Sequence, residues 1–155
     1  MLTVSSDEIR CRVEKLRRQF QTSDPFILCR QLDVQLKGVN FGETEHSIKA
    51  MTTVIFRIRM IQYNSNLPRT LLTFILAHEL GHLFLHKKAN AIFMDSRTQF
   101  NTDKYEREAD TFAMELLVPD SVIFEHPDLT ISQLARLTGY AEQLLELRLK
   151  RRGNS

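Results

Sequence analysis

Apolar residues near the start of the chain recur at helical intervals. The predicted buried face of a first helix consists of Ile9, Val13, Leu16 and Phe20. Residues 5–8 form a capping-box pattern just ahead of this face, so the helix should begin there. Asp24 before Pro25 is the pattern of an N-cap and a first helical position, and predicts a second, short helix that ends near Leu32.

β-Branched and apolar residues dominate positions 48–63. This composition favours strands, and we expect two of them, joined as a hairpin although no Asn-Gly or Asp-Gly pair marks the turn. The polar segment 64–68 should end the sheet and cap the next helix. An exposed edge of the hairpin would allow an extended substrate segment to bind as an additional strand.

The apolar run 70–77 predicts a buried helix, and a second helix is predicted over 105–117. The apolar stripe of the second helix consists of Ala109, Phe112, Ala113, Leu116 and Leu117. Between the two lies a polar connection, Lys87 to Lys104. A loop of this length beside a site is a candidate lid, although most such loops are not lids.

Two short helices are predicted at the end of the chain, over about 130–151, joined by the turn Thr138-Gly139-Tyr140. Such a pair would suit a helix-turn-helix DNA reader. It would equally suit a packed helical pair, and we favour packing or substrate docking because the motif is short. The apolar stripe of the pair consists of Ile131, Leu134, Leu137, Leu144, Leu145, Leu147 and Leu149.

Size and composition predict one globular domain spanning 1–155. Apolar residues make up 43% of the chain and charged residues 26%, which is ordinary for a soluble protein. The net charge of +2 gives no electrostatic reason to expect nucleic-acid binding. The basic run 148–152 should be a solvated end of the chain rather than a phosphate-binding site.

Cysteine usage and the N-terminal residues favour the cytoplasm. Cys11 and Cys29 are isolated and lack the spacing of a disulfide framework or a cysteine metal site. Residues 1–5 do not resemble a signal peptide. The longest apolar stretch, Leu71 to Ala77, is far too short to cross a bilayer, so no membrane association is expected.

The segment His78-Glu79-Leu80-Gly81-His82 lies within the apolar helix. Two histidines four positions apart lie on one helix face, from which both imidazoles can reach a single zinc ion. Glu79 is next to the first histidine, where a carboxylate can act on water as a general base. Gly81 lowers helix propensity by about 1 kcal/mol relative to Ala, which suggests that another element packs close to the backbone there.

A catalytic zinc ion needs a third protein ligand and an open position. Glu106 and Asp110 lie four apart on one face of the second helix, so that Glu106 can bind the metal while Asp110 accepts from a ligand imidazole. Glu108 points elsewhere and is the weaker candidate, expected to be a solvated charge. His86 is interpreted as a residue supporting the ligands, or as a cation near the helix C-terminus.

These motifs resemble the ImmA/IrrE family of zinc metallopeptidases. The matching stretches are 77–86, the pattern Glu106-x-x-Ala109-Asp110-x-Phe112-Ala113, and Leu116-Leu117-Val118-Pro119. The family often carries Asn where this chain has Asp110. The resemblance implies a thermolysin-like site of the gluzincin type and cleavage of a repressor-type regulator of a mobile element or stress response in the cytoplasm.

The sequence therefore predicts an α+β, zincin-like fold: a small twisted sheet packed on the motif helix, with helices before and after. One Zn²⁺ ion would be held by His78, His82 and Glu106, with Glu79 as the base. His126, Tyr105 and Tyr63 remain open as oxyanion stabilisers. The alternative function is a non-proteolytic zinc module that binds a repressor or DNA.

Overall fold

A computed structural model describes residues 4–86 and 102–150, with Thr102 described by its backbone only. The helices are α1 (Ser6–Phe20), α2 (Pro25–Gln31), α3 (Arg69–Leu85), α4 (Thr102–Leu117), α5 (Asp120–Glu125), α6 (Ile131–Thr138) and α7 (Glu142–Lys150). The strands are β1 (Val34–Val39), β2 (Ala50–Ile55) and β3 (Ile58–Asn64), in the sheet order β1-β3-β2. The predicted α+β class is confirmed.

The first two helices begin at the predicted caps. The Ser5 hydroxyl accepts from the backbone N–H of Glu8, and the Asp24 carboxylate accepts from that of Phe26 at 2.9 Å. These bonds satisfy amide groups that have no partner inside the helix. Of the predicted face of α1, Ile9, Val13 and Leu16 are buried, whereas Phe20 is half-buried.

The predicted hairpin is confirmed: β2 pairs antiparallel with β3, and Ile55 stands opposite Ile58. Its turn consists of Phe56 and Arg57, both with positive φ (50° and 67°). Positive φ at both central residues matches the twist of the strands, even though the usual Asn-Gly pair is missing. Among the described strands β2 pairs only with β3, so it forms one edge of the sheet.

The first strand was missed by the sequence analysis. β1 pairs in parallel with β3, with Val34 beside Arg59 and Val39 beside Asn64. Val34 is the one residue of this strand that is buried. The apolar residues of the strand are separated by polar residues and a glycine. Its position depends on a long-range pairing that leaves little local signal.

The predicted cap of α3 by residues 64–68 is wrong in its detail. The helix starts after Pro68 without a side-chain cap bond. Asn64 ends the sheet as expected, but its buried amide donates to the carbonyls of Gly42 and Ile48. It therefore holds the loop before β2 rather than the helix.

Helix α3 runs through the larger buried cluster, between the sheet, the two N-terminal helices and α4. At Gly81 an added Cβ would lie 3.1 Å from the Cα of Ala109 and 3.1 Å from Cβ of Phe112. The close approach predicted from this glycine is therefore confirmed. It brings the backbones of α3 and α4 together at the level of the motif histidines.

The C-terminal pair packs against the body of the protein through a second cluster that includes Leu134 and Leu145. The predicted packing surface is wrong at Leu137, which is 54% exposed. The prediction that the basic run is solvated is wrong at Arg148: it is buried, and it bonds the carbonyl of Val118 and the carboxylate of Asp120.

One predicted segment lies mostly outside the described residues. Of the candidate lid, Lys87 to Lys104, residues 87–101 lie outside the described residues, and the last three belong to α4, which begins at Thr102 rather than at Tyr105. Cys11 is exposed and Cys29 is buried, and both are free thiols.

Within residues 4–86 and 102–150, no helix has the length and apolar character needed to cross a bilayer.

Candidate metal centre and active site

Helices α3 and α4 bring three donor side chains to one point. Nε2 of His78 lies 3.1 Å from Nε2 of His82, and each of these nitrogens lies 3.0 Å from a carboxylate oxygen of Glu106. All three side chains were predicted from the sequence as a ligand set. The two imidazoles are mostly enclosed, whereas the Glu106 side chain is 49% exposed. One side of the cluster therefore faces solvent.

The donor set suits a zinc ion. Two imidazole nitrogens and one carboxylate are the donors found in thermolysin-like catalytic sites, with bonds of about 2.0–2.2 Å. Tetrahedral geometry with such bonds separates neighbouring donors by about 3.3 Å. The observed separations of 3.0–3.1 Å are close to this value. Among the described residues, this trio is the cluster of histidine, cysteine and acidic side chains compact enough to hold an ion.

Asp110 lies behind His78, as the spacing on α4 predicts. Its carboxylate oxygen is 2.7 Å from Nδ1 of His78, so this nitrogen carries a hydrogen, and in the neutral form of the ring Nε2 has the lone pair. Burial by itself would lower the pKa of His78. The hydrogen bonds to Asp110 and Glu106 outweigh burial and raise this pKa from 6.5 to about 10.

The charge on Glu106 is strongly favoured in this arrangement. Burial would raise the pKa of its carboxyl, but the hydrogen bonds from His78 and His82 hold that pKa far below its ordinary value. A carboxylate that stays ionised at any physiological pH is a competent metal donor.

Glu79 lies one residue beyond His78 on α3, outside the donor trio. The hydroxyl of Thr52, on edge strand β2, donates to its carboxylate. Sequence reasoning missed Thr52, and no signal in the sequence could have found it, because the contact joins two elements 27 positions apart. The bond orients the carboxylate and links it to the sheet edge.

Comparisons with known proteins identify the family of this chain. Residues 33–150 match the model of a peptidase family described as the IrrE N-terminal-like domain. This match covers α3 and α4 and therefore every predicted site residue. The chain belongs to the ImmA/IrrE family. It is thus a member of a peptidase family, and its metal centre is expected from that membership. The predicted domain limits, 1–155, stay a prediction.

Two relatives support the assignment. The chain is 37% identical over 142 residues to uncharacterized immunity region protein 2 of Bacillus phage phi105, covering 90% of this chain and 88% of that protein. It is 28% identical over 129 residues to metallopeptidase ImmA of Bacillus subtilis strain 168, covering 81% of this chain and 72% of that protein.

In this ImmA/IrrE-family chain, His86 lies beside His82, with their Nδ1 atoms 3.0 Å apart. The prediction that Glu108 is a solvated charge is wrong. Glu108 is buried, and its carboxylate lies 2.7 Å from Nε2 of His86. A helical wheel places Glu108 away from Glu106, but α3 and the segment before α1 cover that side of α4 as well. Burial lowers the pKa of His86, against the influence of Glu108.

The three oxyanion candidates are not equivalent in the structure. The ring of Tyr105 packs on His86, with centroids 4.4 Å apart, and Tyr63 packs over Gly38 in the sheet. His126 follows the short helix α5. None of these contacts selects an oxyanion donor.

A groove of about 450 Å³ adjoins the donor cluster, between α4 and α7. Its walls include Glu106, Asp110, Leu144 and Leu147.

Proposed function

We propose that this chain is a zinc-dependent endopeptidase that cleaves a DNA-binding repressor of the helix-turn-helix type. The observation that carries the proposal is the compact cluster of His78, His82 and Glu106, next to a Glu79 carboxylate held toward the sheet edge. The name metallopeptidase ImmA on one relative supports metal-dependent hydrolysis. The immunity-region name on another supports a repressor as the substrate. Such a substrate places the reaction in the cytoplasm.

In this proposal, His78, His82 and Glu106 would hold one zinc ion, which would supply Lewis-acid activation of the scissile carbonyl and of the attacking water. Asp110 keeps Nε2 of His78 free to act as a donor. Glu79 takes the proton from the attacking water and passes it to the nitrogen of the leaving amine. Each proton therefore moves through a side chain that already lies beside the cluster.

The substrate would bind along strand β2. Its outer edge has no partner among the described strands, and Thr52 connects this strand directly to Glu79. A peptide segment that adds to β2 would be held extended by backbone hydrogen bonds, with its carbonyl groups passing the general base. The groove between α4 and α7 offers space for a substrate side chain beside Glu106.

The metal assignment is tested by measuring zinc content. Wild type, Glu79→Gln and Glu106→Ala proteins are purified and analysed by mass spectrometry under native conditions. We expect about one zinc per chain in wild type and Glu79→Gln, and loss of zinc from Glu106→Ala. Wild-type protein that stays folded and cannot be loaded with zinc would overturn the proposal.

The catalytic assignment is tested with protein substrates. Wild type and Glu79→Gln are co-expressed with candidate helix-turn-helix repressors, and cleavage is followed on gels. We expect fragments with wild type only, and a stable complex with the Glu79→Gln protein. If Glu79→Gln relieves repression as well as wild type does, without cleavage, the chain is instead a non-proteolytic binding module.

A further inference from the structure

A second carboxylate–imidazole pair, Glu108 and His86, lies behind His82 and takes no part in the proposed hydrolysis. The His86 side chain is 1% exposed and that of Glu108 is 9% exposed. Ionisable groups are rarely buried to this degree unless they are paired and have a defined role. The pair is therefore the strongest unexplained feature near the metal centre.

The positions of the hydrogens follow from the partners. A carboxylate only accepts, so Nε2 of His86, 2.7 Å from Glu108, must carry a hydrogen. Neutral His86 then has a lone pair on Nδ1, which lies 3.0 Å from Nδ1 of His82. The hydrogen between these two nitrogens must consequently belong to His82.

When His82 binds a metal it is neutral, so a hydrogen on Nδ1 leaves its lone pair on Nε2, the atom that faces His78 and Glu106. The opposite tautomer of His82 would direct an N–H at the cluster and could not bind a metal there. Glu108 thus influences a metal donor through one intervening ring.

The Glu108 carboxylate has a second hydrogen-bond partner. Its second carboxylate oxygen accepts from the backbone N–H of Val4, at 3.2 Å, just before α1 begins. The ring of Tyr105 packs on the ring of His86. Both ligand imidazoles are therefore backed by a carboxylate from α4: Asp110 acts on His78 directly, and Glu108 acts on His82 through His86.

We propose that Glu108 is a positioning residue that, through His86, keeps the hydrogen of His82 on Nδ1 and so prepares Nε2 to bind the metal. This inference rests on the proposed metal site. It assigns a function to the segment before α1 as well, because Val4 anchors the carboxylate on which the arrangement depends.

The test compares zinc affinity in the full chain for wild type, Glu108→Leu and Glu108→Gln. Loss of a group that supports a metal ligand typically costs about 10- to 100-fold in affinity, and we expect a loss of this size for Glu108→Leu. Glu108→Gln keeps the volume and an acceptor oxygen, so a smaller loss is expected. It also serves as the test if Glu108→Leu does not fold.

A matched control separates positioning from stability. Glu115→Leu removes another buried carboxylate of α4, one that lies 3.7 Å from a guanidinium nitrogen of Arg148. We expect its zinc affinity to remain near that of wild type even if its melting temperature falls. Nitrogen NMR of the histidine rings in zinc-loaded protein supplies a second readout: the Nδ1–H signal of His82 should shift between wild type and Glu108→Leu, and should not shift in Glu115→Leu.

Wild-type zinc affinity in both Glu108 variants, together with an unchanged Nδ1–H signal of His82, would overturn this inference alone. A different result would show that the proposed metal site itself is absent. In that case Glu106→Ala would also retain the wild-type zinc affinity, or wild type would bind no zinc at all.

Discussion

The hydroxyl of Thr52 donates to the carboxylate of Glu79. The first residue lies on the edge strand β2 and the second on α3, so a single hydrogen bond joins the proposed substrate strand to the proposed base. A carboxylate fixed in this way has less freedom to rotate away from the attacking water. The orientation of the base is therefore coupled to the position of the sheet edge.

Replacing Thr52 with Val should slow turnover on the cleaved repressor by about 10- to 100-fold, because a hydrogen bond to a charged group contributes about 1.5–3 kcal/mol. Zinc content should not change, since Thr52 touches no donor. Thr52→Ser keeps the hydroxyl and should retain most of the activity. Thr53→Val is the matched control on the opposite strand face. Equal turnover in Thr52→Val and wild type would contradict the coupling.

Replacing Asp110 with Ala should weaken zinc binding by about 10- to 100-fold, because the hydrogen on Nδ1 of His78 loses its acceptor. Asp110→Asn should lose less, since the amide oxygen can still accept. The affinity is measured by competition with a chelator of known strength. Thr111→Ala, at the next position of α4, serves as a control, because the Thr111 hydroxyl donates to the backbone carbonyl of Arg107. Undiminished affinity in Asp110→Ala would refute this role.

The stability of chelator-treated protein should fall as pH rises. The pKa of His78 is about 10 in the folded chain against an ordinary value of 6.5. Its protonated form therefore stabilises the fold fully below pH 6.5, and this contribution is lost as pH rises through 10. Urea unfolding at pH 6, 8 and 10 measures the free energy of unfolding. Its decrease with rising pH should be smaller in His78→Asn. An equally steep trend in that variant would assign it to other groups.

Zinc affinity should have the opposite pH dependence. Zinc and the proton compete for His78, so zinc binds more tightly as pH rises, and binding at pH 7.5 should release about one proton. Calorimetry in buffers with different ionisation enthalpies counts the released protons. Binding without proton release would show that His78 is already neutral before the metal arrives.

Replacing Gly81 with Ala should weaken zinc binding. The new methyl group would meet the backbone of Ala109, which cannot move aside as a flexible side chain can. Overpacking costs about 1–3 kcal/mol, against about 1 kcal/mol gained in helix propensity. Any shift of α4 carries Glu106 away from the histidines. Thr73→Ala, on the same helix, controls for propensity. Unchanged zinc affinity in Gly81→Ala would show that the helices adapt without moving Glu106.

The features that could be predicted from the sequence are local ones. The helix period places His78 and His82 on one face, and Glu106 and Asp110 on another, whatever the surrounding fold. The caps at Ser5 and Asp24 likewise depend on a few neighbouring residues. Each of these features could be predicted because its geometry is set within one or two helical turns.

Contacts between side chains of different elements could not be predicted, because they depend on how the elements pack. Helical periodicity predicts that Glu108 is exposed, yet α3 and the segment before α1 enclose it. Arg148 is likewise buried against the prediction, because it bonds Asp120. Strand β1 and the contact of Thr52 with Glu79 likewise depend on partners far apart in the chain. Burial and hydrogen-bond partners of this kind arise from packing, which local periodicity does not encode.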